Sequence, residues 1–306
     1  MRIGIMTGSG FDPDPTITGL IKEALRYEQM GFDSLWMATI YGFDGLTVLA
    51  AIGAATSRIE LGTAVVASHA RHPMAMAQQT LTVAAASQGR FTLGVGLSHK
   101  YVIEQEMGLE YSKPAAHMRE YLGVIKPLLN DGTVSYNGDI FNVNATFYMP
   151  ETHTVPVLVA ALGPKMLEVA GTYADGTTLW LTGPKTIEQH IVPGITAAAK
   201  AANKKTPRVV AGMPIVLTNN IDGARDGVNE KLGMYKDIPS YRVMLDRENA
   251  DGPGDVALLG DEQSLRQQIQ HLQNIGVTDL NAVLIDTDEE AYERTLNFLA
   301  SEINNK

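Results

Sequence analysis

The chain has 306 residues, of which 24 are basic and 34 acidic, giving a formal net charge of −10. This charge argues against nucleic acid or an anionic membrane surface as the main partner. The absence of cysteine excludes disulfides, thiolate nucleophiles and cysteine-based zinc or iron–sulfur sites. No apolar run is long enough for a signal peptide or a membrane helix, so we expect a cytoplasmic protein.

Short apolar segments alternate with longer segments of helical period along the chain. Residues 223–250 have an irregular helical pattern. In chain order, the other predicted elements are strand Arg2–Met6, helix Thr16–Met30, strand Ser34–Met37, helix Leu46–Ala55, strand Ile59–Val66, helix Pro73–Ser87, strand Phe91–Val95, helix Ala115–Leu129, strand Val157–Ala160, helix Lys165–Tyr173, strand Thr177–Leu181, helix Thr186–Asn203, strand Val209–Leu217, helix Asp261–Ile275, strand Leu280–Ile285 and helix Glu289–Ile303.

This order predicts the fold. Successive strands separated by helices must run parallel, because a parallel pair needs a crossover connection. Eight such units favour a closed (β/α)8 barrel over an open doubly wound sheet, and we expect one domain over residues 1–306. Turn signals at Asn130–Gly132 and Asn137–Asp139 predict a β-hairpin insertion near 130–155, with strands Val134–Tyr136 and Ile140–Val143.

In such a barrel the functional residues follow the strands, at their C-terminal ends. After the fourth predicted strand, Gly94–Lys100 combines two glycines with the donors of Ser98, His99 and Lys100, which favours contact with a ligand over a merely tight turn. After the fifth, Ala160–Lys165 places small residues and a proline at a helix start, where free N–H groups favour an anion. An ordinary capped helix is the alternative there.

The loop after the third strand carries His69, Arg71 and His72. These residues indicate a site for an anionic tail or, alternatively, surface histidines with no role; no carboxylate or cysteine lies near enough in sequence to complete a metal site. Trp36 and Trp180 each lie near the end of a predicted strand. Each is either a core residue or part of a pocket wall. The chain lacks the serine-hydrolase elbow and the P-loop, which argues against those two enzyme classes.

Three stretches resemble the luciferase-like monooxygenase superfamily, and specifically its branch of oxidoreductases that use the deazaflavin coenzyme F420. They are Glu60–Val65 continuing through Arg71-His72-Pro73, then Gly89–Gly96, and Val157–Pro164 with Ala174-Asp175-Gly176. The tail from Leu259-Gly260-Asp261 to Gly276-Val277 is similar too. The resemblance covers nearly the whole chain in order, which makes it more specific than any single motif.

The resemblance implies a (β/α)8 barrel with insertions and a coenzyme ring at the C-terminal ends of the strands. It implies a cis peptide at Ala64–Val65 behind the ring, a phosphate at Leu162 and Gly163, and a proton donor at the position of His99, our candidate catalytic residue. The expected coenzyme-binding residues are Thr39, Ala64, Val65, Ala67, Gly96, Leu97, Ser98, Ala160, Ala161, Leu162, Gly163 and Pro164.

One departure from the family concerns the second strand. The sugar-phosphate branch has an aspartate–histidine pair there, and this chain has Thr39-Ile40; glucose 6-phosphate is therefore not the expected substrate. We interpret the chain as an F420-dependent oxidoreductase that transfers a hydride between the coenzyme C5 and a small alkene, carbonyl, imine or alcohol. The alternatives are an FMN-dependent monooxygenase and a non-catalytic F420-binding barrel. Family members are often dimeric, so a homodimer is one of the expected oligomeric states.

Overall fold

The computed structural model describes residues 1–8, 12–287 and 290–304. Within these residues, parallel strands close into an eight-stranded barrel, which confirms the predicted (β/α)8 fold. The barrel strands are β1 (Arg2–Thr7), β2 (Ser34–Met37), β3 (Glu60–Thr63, continued by Val66–Ala67), β4 (Phe91–Gly96), β5 (Val157–Ala160), β6 (Gly176–Trp180), β7 (Arg208–Leu217) and β8 (Asp279–Leu284). Strands β1 and β2 pair, β8 pairs with both β1 and β7, and β6 pairs with β7 to close the ring.

Helices surround the barrel and connect its strands. They are α1 (Ile17–Met30), α2 (Gly45–Ala55), α3 (Pro73–Ala86), α4 (Pro114–Asp131), α5 (Pro164–Tyr173), α6 (Pro184–Thr186, a π-helical turn Ile187–Ile191, and Val192–Ala201), α7 (Ile221–Leu232), α8 (Pro239–Glu248), α9 (Glu262–Asn274) and α10 (Ala291–Asn304). Among the described residues, none of the helices is both long and apolar enough to cross a bilayer.

Side chains that alternate along each strand fill the barrel interior. In the middle, Trp36, Leu158 and Val210 pack together and are fully buried. At the N-terminal end, Arg208 lies 5.3 Å from the Trp36 ring and bonds to both Glu60 and Asp279. An ion-pair network therefore lies at the N-terminal end of the barrel with an apolar layer above it, so a site is expected at the C-terminal ends of the strands.

Several predicted elements differ in detail from the structure. The third strand is interrupted at Ala64 and Val65, and an unpredicted short strand, Leu258–Gly260, pairs with β7. Three residues are too few for the sequence pattern to mark a strand. Residues 223–250 resolve into α7, a 3₁₀ turn Gly233–Asp237 and α8. The predicted last helix began at Glu289, a residue outside the described ranges.

The hairpin also differs from its prediction. Its strands are Thr133–Asn137 and Asn142–Thr146, so the second strand begins two residues later than Ile140. The cause is Glu120 on α4, whose carboxylate accepts backbone hydrogen bonds from Asp139, Ile140 and Phe141 at 3.2, 2.9 and 3.0 Å. Those N–H groups are engaged by the helix and cannot join the strand ladder.

Candidate active site at the mouth of the barrel

Small residues form one side of the barrel mouth. The inward positions at the ends of β2 to β5 are Ala38, Ala64, Gly96 and Ala160, none of which has an atom beyond Cβ. A Cβ built on Gly96 would lie 3.3 Å from the Ala160 Cβ, so these neighbours meet on one surface. We call these four residues the small-residue shelf. Side chains at these four positions therefore occupy little of the space above the strand ends.

An unusual backbone edge borders the shelf. The Ala64–Val65 peptide is cis, as the resemblance predicted. Its position is fixed on both sides: Ala64 N donates to Met37 O at 2.9 Å, and Thr39 N donates to Val65 O at 3.0 Å. The Val65 side chain lies against Gly94 and Gly96 and is half-exposed, so it projects over the shelf. The Thr39 hydroxyl accepts from Gly45 N and holds the start of α2.

The loops after β3 and β4 complete this side. Ser68 N donates to Gly96 O at 2.8 Å, which joins the end of β3 to β4 just beyond Ala67. Leu97 and Ser98 are half-exposed at the mouth, and Ser98 has a left-handed φ of 62°. The predicted residues of these two loops therefore converge.

The start of α5 lies beside the shelf. Its N-cap, Gly163, has no side-chain capping bond, and a Cβ there would meet nothing within 4 Å. Leu162 and Gly163 are half-exposed, and His190 Nε2 contacts Leu162 O at 2.8 Å. Uncapped N–H groups at a helix start suit an anion. Ala161, by contrast, is fully buried in the core, which leaves only its backbone for a ligand; Pro164 is exposed.

Opposite the shelf, a continuous run of rings crosses the mouth. Trp180 at the end of β6 contacts Tyr235 at 5.9 Å between centroids, Tyr235 contacts Tyr241 at 5.2 Å, and Tyr241 contacts His99 edge to face at 5.7 Å. His99 in turn stacks with Tyr101 at 6.3 Å. We call His99, Tyr101, Trp180, Tyr235 and Tyr241 the aromatic wall. Trp180 is half-buried at one end of this wall, whereas Trp36 is fully buried in the barrel interior.

His99 is half-buried within this wall. Burial lowers the pKa of its imidazole below the ordinary value, because the charged form loses hydration. The ring is therefore mostly neutral at neutral pH. Lys100, its sequence neighbour, turns outward toward Glu104 and is 68% exposed.

A second group of rings lies outside the barrel behind the loop after β3. His69 stacks on His117 of α4, and Ser68 Oγ is 3.0 Å from His117 Nε2. These residues border a cavity of about 340 Å³ with Arg71 and His72. Arg71 is engaged in an ion pair with Asp44, and no group of three His, Asp or Glu in the described ranges is placed to hold a metal ion.

Sequence reasoning missed three of these residues. Tyr235 and Tyr241 lie in the irregular helical region, where no periodic pattern marks a ring that folds back over the mouth. His117 lies inside a predicted helix, and only the fold brings it to His69. By contrast, the mouth does contain several predicted residues, namely Gly96, Leu97, Ser98, His99 and the Leu162-Gly163 loop.

Comparison with known proteins identifies the family of the chain. The sequence profile described as luciferase-like monooxygenase matches residues 1–296. The 5,10-methylenetetrahydromethanopterin reductase of Archaeoglobus fulgidus is 30% identical over 309 residues, covering 90% of this chain and 92% of that protein.

Two solved structures have the same fold. The coenzyme F420-dependent tetrahydromethanopterin reductase of Methanopyrus kandleri superposes with a TM-score of 0.82 at 23% identity, covering 99% of this chain and 98% of that one. An F420-dependent secondary alcohol dehydrogenase in complex with an F420-acetone adduct gives 0.81 at 18% identity, covering 98% and 97%. At these identities the likeness shows the fold alone.

Proposed function

Because the chain belongs to the luciferase-like monooxygenase family, we propose that it is an F420-dependent oxidoreductase that transfers a hydride between the deazaflavin C5 and a small organic substrate. The small-residue shelf carries this proposal, since it offers a flat surface bordered by Val65 on one side and by an uncapped helix start on the other. The names of the Archaeoglobus fulgidus relative and of both structural neighbours refer to coenzyme F420 or to tetrahydromethanopterin.

The residues of the chain fit the two ends of such a coenzyme. The shelf accommodates a planar ring, because a side chain larger than alanine at Ala64 or Ala160 would fill that space. The N–H groups at Gly163 and the start of α5 are suited to the phosphate. When bound, the coenzyme supplies the hydride-transfer chemistry, and the protein supplies position and proton transfer.

We assign the transfer of the proton to His99. A neutral imidazole accepts a proton, so the lowered pKa of His99 favours its action as a base while an alcohol is oxidised. The reverse reduction needs the protonated ring. We therefore expect the rate of oxidation to rise with pH through the His99 pKa and then level off, and the rate of reduction to fall over the same range.

Spectroscopic titration with each coenzyme tests the assignment. We expect F420 to bind at least about tenfold more tightly than FMN. Gly163→Asp should weaken F420 binding by about tenfold or more, because its carboxylate repels the phosphate and caps the N–H groups, while Gly163→Ala, which adds no acceptor, should not. Both substitutions fit the open space at Gly163 without a clash. FMN binding without F420 binding would instead support the FMN-dependent monooxygenase.

Turnover separates an enzyme from a coenzyme-storage protein. His99→Gln should lower turnover by ~10²–10⁴-fold and change coenzyme affinity little. It should also abolish the pH dependence described above. Equal losses of affinity and rate would make His99 a binding residue, and F420 binding without turnover of any alcohol, ketone or enone would favour the non-catalytic barrel.

A further inference from the structure

The aromatic wall forms the side of the mouth that faces the small-residue shelf. Met6, Trp180, Tyr235 and Tyr241 pack on one buried cluster over the ends of β6, β7, β8 and β1. A molecule bound between the shelf and this wall therefore meets rings on one face. Such rings bind apolar and aromatic groups by burial and by offset or edge-to-face contact.

No charge is directed into the mouth from the two segments that supply most of the wall. In 98–107, Lys100 is paired with Glu104 and Glu106 accepts from Tyr41. In 233–243, Arg242 bonds to Asp246 and to two backbone carbonyls, and Lys236 and Asp237 are exposed. A carboxylate or phosphate buried against the wall would find no counter-charge among these residues, and an unpaired buried charge is strongly disfavoured.

The backbone at both ends of the wall is strained. Ser98, which precedes His99, has φ 62°, and Leu181, which follows Trp180, has φ 49°. A buried leucine in the left-handed region is rare, because its Cβ crowds the backbone, and such residues persist where the surrounding structure enforces them. Leu181 is 1% exposed and packs in the buried cluster. The fold thus holds Trp180 and His99 in fixed orientations at a local cost, which is common where a ligand binds.

From these observations we infer that the substrate is an uncharged molecule with an aromatic or alkyl body, which packs against the aromatic wall and presents its reacting carbon beside His99. This inference rests on the proposed function, because it names the substrate class of the same site. It excludes sugar phosphates and carboxylates whose charge would lie at the wall.

A matched pair of ketones tests the inference. 4-Phenyl-2-butanone is uncharged, and 4-(4-carboxyphenyl)-2-butanone has the same skeleton with a carboxylate. Binding is followed by tryptophan fluorescence, since the chain has two tryptophans and only Trp180 lies at the mouth. We expect the uncharged ketone to bind at least about tenfold more tightly than the carboxylate, with or without F420 present.

Variants of one ring identify where the ketone lies. Tyr241→Ala should weaken binding of the uncharged ketone by about tenfold, Tyr241→Phe should retain most of the affinity, and Tyr148→Ala, at a residue 92% exposed on the distant hairpin side, should have no effect. The affinity for F420 should stay within about twofold in all three.

Four outcomes would overturn the inference: equal or tighter binding of the carboxylate, no saturable binding of the uncharged ketone, an unchanged affinity in Tyr241→Ala, or a loss of F420 affinity in Tyr241→Ala as large as the loss for the ketone. The last outcome would indicate that the aromatic wall contacts the coenzyme rather than the substrate. Failure of the wild-type protein to bind F420 would contradict the proposed function but not ketone binding at the wall, so the two failures are distinguishable.

Discussion

The imidazole rings of His69 and His117 lie parallel, with 4.0 Å between centroids and 1° between planes. Burial, and to a lesser degree the nearby His69, lowers the pKa of His117 to about 4, while Glu120 opposes the shift. Burial lowers the pKa of His69 as well. Protonation of either ring is therefore disfavoured in the stack that joins the loop after β3 to α4.

Acidification should weaken the fold through this stack. A histidine whose folded pKa is depressed favours the folded state fully above its unfolded pKa of about 6.5, and this stability is lost as the pH falls toward the folded value. For His117 the loss amounts to up to about 3 kcal/mol between roughly pH 7 and pH 4. Denaturant unfolding of the wild type and His117→Gln across this range would measure it.

The variant should be less stable than the wild type at pH 7, since it loses the contact with Ser68, but its stability should fall less on acidification. His153→Gln is the matched control, because His153 pairs with Glu151 near the surface. Parallel pH profiles for the wild type and His117→Gln would contradict the assignment of this acid sensitivity to the stack.

Glu120 is expected to fix the hairpin to α4. Burial alone would raise the pKa of this carboxyl, but the N–H groups of Phe141, Ile140 and Asp139 stabilise the charged form and hold it below the ordinary value. Removing the acceptor takes a charged partner from three part-buried donors, so Glu120→Ala should lower the free energy of unfolding by about 1–2 kcal/mol. Hydrogen exchange should show faster exchange of those three amides, and unchanged exchange there would disprove the role.

At the opposite end of the barrel from the site, Arg208 should act on stability alone. It bonds Asp279, which is 1% exposed, and Glu60, and Arg2 lies 2.5 Å from Glu60 and 3.4 Å from Asp279, so Arg208→Met leaves one cation for two carboxylates. We expect a loss of ~2–4 kcal/mol in the free energy of unfolding. Adding Asp279→Asn should recover part of it. Coenzyme affinity of the folded variant should equal that of the wild type, and a large loss of affinity would show that this end is coupled to the mouth.

The sequence was informative where structure is local and periodic. The alternation of strands and helices predicted the barrel. The end of β4 is visible in its own sequence pattern, so the location of Gly96, Ser98 and His99 at the mouth was predictable as well. The cis peptide bond at Ala64–Val65 was predicted from the family resemblance, because no local sequence pattern indicates it.

The remaining features depend on contacts between distant segments. Tyr241 reaches His99 from a segment more than a hundred residues later in the chain, and His117 meets His69 across the whole of β4. The shift of the hairpin strand arises from Glu120 on the preceding helix, so turn signals within the hairpin could not reveal it. Such contacts become predictable only once the fold is known.

Gly96 offers the most direct test of the shelf. A Cβ at Gly96 would lie 2.7 Å from Val65 Cγ2 and 3.3 Å from the Ala160 Cβ. The nearer atom is the end of a side chain, so the fold can adapt if Val65 moves. That movement would push Val65 into the space assigned to the ring. Gly96→Ala should therefore weaken F420 binding by about tenfold or more while changing the free energy of unfolding by less than about 1 kcal/mol.

Two other glycines provide the comparison. A Cβ at Gly94 would lie 2.0 Å from Thr63 O, a backbone atom, so Gly94→Ala should destabilise the protein itself. A Cβ at Gly42 would meet nothing within 4 Å, and Gly42→Ala should change neither property. The measurements are a coenzyme titration and a denaturant melt for each variant. If Gly96→Ala bound F420 as tightly as the wild type, a ring packed against Val65 would be ruled out, because the added methyl group and the ring would compete for the same space.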